Sequence, residues 1–122
     1  MTGEHVTRDR VLAALAEHIG ADAGVSVREL TARVVGGPLW VTDGAERAVR
    51  AIVQELREAG HHVCAHPQHG YFMASNQAEL DATCEYLHAR AMCSLRQVAA
   101  MRRVSEPDLR GQLRLPAEPQ ED

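Results

Sequence analysis

From Arg47 to Ser75 the chain reads RAVRAIVQELREAGHHVCAHPQHGYFMAS, and no other stretch limits the fold as tightly. Val49, Ile52, Val53 and Leu56 recur at helical spacing, so a helix here needs a core along one side. Thr42 and Asp43, with Glu46 three residues after Asp43, signal its start, and Gly60 its stop; the spacing predicts a helix over about 43–59. Its other side carries Arg47, Arg50, Gln54 and Arg57, spaced 3, 4 and 3, so all four share one face. After Gly60 the period changes. HHVCAH and YFMAS contain β-favouring Val, Tyr and Phe and flank Pro-Gln-His-Gly, a hairpin signal. That hairpin holds no Lys, Arg, Asp or Glu. A charged helix running straight into an uncharged hairpin suits two designs: a nucleic-acid-reading helix with a wing, or a metal site built from histidines.

The remaining segments supply the surroundings. RDRVLAALAEHIG places Val11, Leu12, Leu15 and Ile19 at helical spacing, with Thr7 as N-cap and Gly20 as stop, and ADAG reads as a turn. Ser26 and Glu29 form a capping box for SVRELTARVVGG, where Val27, Leu30 and Val34 line one side and Gly36-Gly37-Pro38 ends the helix. LWV at 39–41 reads as a brief extended piece. Asn76 with Glu79 resembles a further capping box, opening a long helix to about Val104. Along it Leu80, Cys84, Leu87, Ala91, Ser94, Val98 and Met101 alternate steps of 4 and 3. The last stretch, EPDLRGQLRLPAEPQED, has the composition of a flexible acidic tail. The expected fold is mostly α with a small β-hairpin. It is a winged helix-turn-helix, three helices plus a two-stranded wing, over 8–75, then a long helix over 76–104 and a disordered tail over 105–122.

One stretch also carries a family likeness. RAVRAIVQELREAGHHVCAHPQHGYFMASNQAEL resembles small winged-helix proteins, including those of bacteriophages and the DNA-binding domain of the biotin repressor. The matching residues are Arg50, Ile52, Leu56, Arg57 and Gly60 in the helix, then Gly70, Tyr71 and Phe72 in the closing strand. The long helix with Leu80, Leu87 and Arg90 looks like the phage-encoded group, so the resemblance covers about residues 8–104. It implies a small phage or phage-like transcriptional regulator that binds double-stranded DNA by sequence. The third helix would enter the major groove and the wing would lie against the backbone or minor groove.

Charge bears on that expectation. The 122 residues have a formal net charge of −4, which excludes a nonspecific nucleic-acid coat, because counterion release needs a cationic surface. All thirteen basic residues are Arg, and residues 8–104 hold eleven Arg against eleven acids. A neutral core can still present a basic face. The same neutrality favours an alternative from another class, a winged-helix adaptor that binds protein in a replication or transcription complex. Trp40, Tyr71, Phe72 and Tyr86 are the only Trp, Tyr or Phe, so the core must be aliphatic. No apolar run reaches the roughly 18 residues of a membrane span. MTGEHVTRDR lacks the apolar run of a signal peptide, and Cys64, Cys84 and Cys93 lack disulfide-framework spacing, so a cytoplasmic protein with reduced thiols is expected.

Roles then attach to named residues. On the third helix Arg47, Arg50 and Arg57 can read guanine or bind phosphate, and Gln54 can read adenine; their bland role is a solvated face, with Glu46 and Arg50 spaced to pair. Ser26 and Arg28 begin the second helix and Thr42 the third, where free N–H groups suit phosphate, alongside simple capping. His66 and His69 are expected at the wing as phosphate-facing or solvated groups. His62, Cys64 and His66 alternate onto one strand face and could take Zn²⁺, but a closed structural site wants four ligands, so Cys64 is expected inward as a small hydrophobe and no metal or other cofactor is expected. No catalytic constellation is present: the hairpin is too small to enclose a substrate cleft, and GAERAVR lacks the Gly-Lys-Ser/Thr of a phosphate loop. Leu80, Leu87, Ala91 and Val98 are expected to hold a homodimer, since the long helix outruns what a small domain can cover.

Overall fold

The computed structural model describes residues 6–103; the acidic tail expected over 105–122 lies outside them. Among the described residues, four helices and one antiparallel hairpin follow in the order α1 (Arg8–Leu15), α2 (Val27–Val35), α3 (Asp43–Glu58), β1 (Val63–His66), β2 (Gly70–Met73) and α4 (Gln77–Arg102). Short 3₁₀ turns at Ala21–Ala23 and Pro38–Trp40 join the first three helices.

Each helix starts where a side-chain oxygen accepts from a free backbone N–H. The hydroxyls of Thr7, Ser26 and Thr42 accept from the N–H of Arg10, Glu29 and Ala45. The Asn76 carboxamide oxygen accepts from Glu79 N–H at 2.8 Å. Gly36, in the left-handed region at φ +97°, ends α2.

Val11 and Leu15 of α1, Leu30 and Val34 of α2, and Val49, Val53 and Leu56 of α3 are buried together with Val63 of β1. Thr31 is the polar intruder in this core, and its hydroxyl donates to the Val27 carbonyl at 2.6 Å, so that hydroxyl is not left unpaired.

Two sequence expectations fail in the connections. Helix α1 stops at Leu15, short of Gly20, and Ile19 is 59% exposed instead of packing inward. Strand β2 takes this segment for itself: Met73 N–H donates to the His18 carbonyl at 2.7 Å and Gly20 N–H to the Met73 carbonyl at 2.8 Å. Ile19 therefore sits in a β-bridge opposite Met73. Val25 and Tyr71 exchange both backbone bonds a little further on, at 2.9 and 2.7 Å. The second correction is LWV, which does not extend: Leu39 and Trp40 coil in a 3₁₀ turn with Pro38 at its start.

In the hairpin Val63 pairs with Met73, Cys64 with Phe72, Ala65 with Tyr71 and His66 with Gly70. Val63, with Tyr71 and Met73, packs on the three-helix core. On the other face Cys64 and Phe72 are buried, with the Cys64 thiol donating to the Glu79 carbonyl in the first turn of α4 at 3.5 Å. Both edges of the ladder are closed: β2 by the segment 18–25, and β1 by Arg57 Nε on the Val63 carbonyl and by Thr83 Oγ1, which accepts from Ala65 N–H.

The chain divides into two compact units, the first running through Cys84. Within the second unit, α4 continues from Glu85 to Arg102, two residues short of the expected end at Val104. Along α4 only Thr83 is buried, and every residue from Cys84 to Arg103 is exposed.

Candidate nucleic-acid interface

Helix α3 carries the candidate site. Its inner side, Ala45, Val49, Val53 and Leu56, is fixed in the core, which fixes the direction of the opposite side. Arg47, Arg50 and Gln54 lie on that opposite side, and all three are exposed. Among the described residues none of the three has an ion-pair or side-chain hydrogen-bond partner, and the i, i+4 pair of Glu46 with Arg50 does not form. Three donors on one face are thus free for an outside acceptor, whether phosphate oxygen, base edge or carboxylate.

Arg57, the fourth member of the spaced set, is placed differently. It is half-buried, and its Nε donates to the Val63 carbonyl at 2.9 Å. This bond ties the end of α3 to the first residue of β1, so it orients the hairpin relative to the helix. Glu55, between Gln54 and Leu56, binds Arg8 of α1 at 2.8 Å, holding the outer edge of α3 against α1.

Ser26 and Thr42 serve as N-caps, and Arg28 lies one residue inside α2. Ser26 Oγ also donates to Glu29 Oε1 at 3.3 Å, which leaves that hydroxyl doubly used. The end of the hairpin lies against this helix start. A Cβ on Gly24 would run into the His69 carbonyl, and one on Gly70, itself at φ +79°, would run into the Val25 carbonyl. Ser26 and the hairpin turn are therefore neighbours, while the α3 face is contributed by a separate helix.

At the exposed turn the His66 and His69 rings stand 4.9 Å apart, and His66 Nδ1 accepts from Gln68 N–H at 3.0 Å. His62 and His66 are exposed, whereas Cys64 is fully buried, so the strand does not gather the three into one ligand set. Among the described residues no three His, Cys, Asp or Glu side chains converge as metal ligands do. Burial pushes the Cys64 thiol up from its ordinary range, with the Thr83 hydroxyl partly opposing it. A neutral, enclosed thiol is a packing group and a poor nucleophile.

Two residues just before α3 are surface elements that helical or strand period alone does not reveal. Leu39 is 93% exposed and Trp40 55% exposed, shortly before the Thr42 cap. The signal was present in Gly36-Gly37-Pro38, since three apolar residues isolated between that breaker and a cap are too few to form a core strand. A depression of about 400 Å³ lies between α1 and α2, but Arg33 there faces Glu17 at 3.5 Å and Arg10 donates to the Val34 carbonyl at 3.4 Å. Its cations already have acceptors.

The junction below the hairpin is built on Glu79. Its carboxylate accepts from Ser75 N–H and Ser75 Oγ, both at 2.8 Å, and from Ala21 N–H at 2.9 Å. These donors hold the carboxyl below the usual carboxylate range, the Ser75 N–H contributing most.

No helix among the described residues is long and apolar enough to cross a membrane. Compared with known proteins, the chain matches no protein-family model, no curated protein and no solved structure.

Proposed function

We propose that this chain is a winged helix-turn-helix protein that binds double-stranded DNA by sequence, with α3 as the reading helix and β1–β2 as the wing. The observation that carries the reading is the α3 face itself: Arg47, Arg50 and Gln54 are aligned, accessible and unpaired among the described residues. Two Arg and one Gln are the side chains whose forked donors and acceptors fit guanine and adenine edges in the major groove. Next to that helix stands a hairpin braced on both edges, and a braced hairpin can hold its turn, with His66 and His69, against a phosphate backbone. Free N–H groups at the starts of α2 and α3 add places for phosphate oxygens. The protein acts in this reading as a small transcriptional regulator, of the phage-like kind its sequence resembles, and as a homodimer through α4. Selection of bound fragments from random and genomic DNA at stated salt tests it. An enriched motif, with log affinity falling against log salt, is the expected result; no enrichment above nonspecific binding would sink it.

One observation favours a second reading. Leu39 and Trp40 form an exposed apolar pair near the start of α3, and exposed aromatic and aliphatic anchors are typical of protein-binding surfaces. In that reading the same end of α3 docks another protein, and Trp40→Ala would abolish a complex while leaving DNA affinity unchanged.

A further inference from the structure

Helix α4 separates its charges along its length. Glu79, Asp81 and Glu85 occupy the first half with no Lys or Arg, and Arg90, Arg96, Arg102 and Arg103 follow with no acid among them. The helix dipole accounts for Glu79 in the first turn and Arg102 in the last, but its influence fades within a turn and does not reach Glu85, Arg90 or Arg96. Within one helix the arrangement is unfavourable, since Asp81 and Glu85 are like charges at i, i+4 and neither has an ion-pair partner among the described residues.

The same helix exposes an apolar stripe with no partner among the described residues. Leu87 is 40%, Val98 39% and Met101 67% exposed, and Cys84, Ala91 and Ser94 complete the steps of 3 and 4. We infer that α4 pairs with the α4 of a second copy of this chain in antiparallel orientation. The inference rests on the dimeric reading above and adds its direction. With Cys84, Ala91 and Val98 as one seam position and Leu87, Ser94 and Met101 as the other, antiparallel pairing produces the layers Cys84–Met101, Leu87–Val98 and Ala91–Ser94, each formed twice. The small middle layer lets the helices approach closely. Asp81 and Arg102 both flank the seam, and the antiparallel register sets each against the other across the two copies. A parallel pair would instead bring acids level with acids and Arg level with Arg, so charge decides the direction.

Native Cys84 makes the direction testable. In the antiparallel pair the two Cys84 residues lie some 17 residues apart along the seam, about 25 Å at a helical rise. A disulfide needs Cα atoms within about 7 Å. Full-length C93S and C93S/M101C proteins, with Cys64 buried in both, are exposed to oxidised glutathione and run on non-reducing gels, and their masses are measured by sedimentation before oxidation. The expected result is a dimer by sedimentation for both. A covalent dimer should form only for C93S/M101C, with mass spectrometry finding Cys84 disulfide-linked to the thiol introduced at position 101. A Cys84–Cys84 covalent dimer of C93S, or a sedimenting dimer of C93S/M101C that does not cross-link, overturns the antiparallel direction while leaving a dimer in place. Monomers at tens of micromolar overturn the pairing itself. DNA selection reads out independently of all three results.

Discussion

Arg57 Nε donates to the Val63 carbonyl at 2.9 Å, so the last turn of α3 holds the first residue of the hairpin. A hydrogen bond from a charged group is worth about 1.5–3 kcal/mol when shielded, and less here because Arg57 is only half-buried. Arg57→Ala should therefore lower unfolding free energy by about 1 kcal/mol and loosen the hairpin. Arg50→Ala, on an exposed and unpaired side chain, should change stability by less than about 0.5 kcal/mol. Urea unfolding of the two variants makes the comparison, and equal midpoints would show that the bond to Val63 does not hold the hairpin.

Reading DNA should depend on the other members of that face. Arg47→Ala and Arg50→Ala are expected to weaken binding to a selected site by about 1–3 kcal/mol each if the side chain meets a base, with preference relaxed at one position. If the side chain meets phosphate, all sequences weaken alike and the salt slope drops by about one. Fluorescence anisotropy on matched and mismatched duplexes separates the cases. Wild-type affinity in both variants would remove α3 as the reader.

The buried thiol predicts a response to alkali. Cys64 has its pKa raised above the ordinary 9.0, chiefly by burial. A raised pKa means that the folded state prefers the neutral thiol, whereas the unfolded chain ionises first. The thiol therefore costs nothing below pH 9.0, and stability falls as pH climbs from there toward the folded value. Cys84 and Cys93 are exposed and should alkylate quickly at mildly alkaline pH, while Cys64 should wait for unfolding. Cys64→Ala should flatten the loss of stability above pH 9.0 relative to wild type. Rapid labelling of all three thiols in the native protein would contradict the enclosed site.

Acid should act through Glu79. Its pKa is lowered, first by the Ser75 N–H, then by the Ala21 N–H and the Ser75 hydroxyl. A lowered pKa favours the folded state above the ordinary 4.5 and withdraws that support as pH falls through the folded value. Glu79→Gln should be less stable than wild type at neutral pH, and the gap should narrow as pH drops below 4.5. Thermal unfolding from neutral pH down to about one unit below that value checks this. Parallel curves would mean that the carboxylate charge is immaterial at this junction.

Local signals carried much of this architecture, and Glu79 shows where they stop. Asn76 and Glu79 were legible as a helix start, because capping is settled within four residues of chain. That the same carboxylate reaches Ala21, 58 positions away, follows only from how the hairpin returns to the α1–α2 connection. Ile19 misled for a related reason: it continues the α1 period, but a neighbouring strand with free N–H and C=O groups outcompeted one more helical turn. On α3 the inner residues and the outward set of Arg47, Arg50 and Gln54 were readable from period alone. Arg57 has the same spacing, and nothing in the sequence says that a strand carbonyl would come within its reach. Leu80 and Cys84 belong to the α4 stripe by period, yet Thr83, off that stripe, is the one buried residue of the helix, because the hairpin covers a different side.

The α4 stripe should couple assembly to DNA affinity. A single copy with few free Arg side chains gains little per contact, and a second linked copy makes the next docking event intramolecular, raising apparent affinity by about 10²–10⁴-fold where geometry permits. Leu87 and Val98 are 40% and 39% exposed, so charges there cost the folded monomer little. In a paired seam, two Asp residues would be buried without partners, at a cost of several kcal/mol. Leu87→Asp/Val98→Asp should thus yield a monomer with unchanged circular dichroism and unfolding midpoint, and with DNA affinity reduced by at least about a hundredfold. Sedimentation, circular dichroism and anisotropy on one duplex give the three readings. A variant that is monomeric yet binds as tightly as wild type would separate assembly from recognition, leaving each copy to read its site alone.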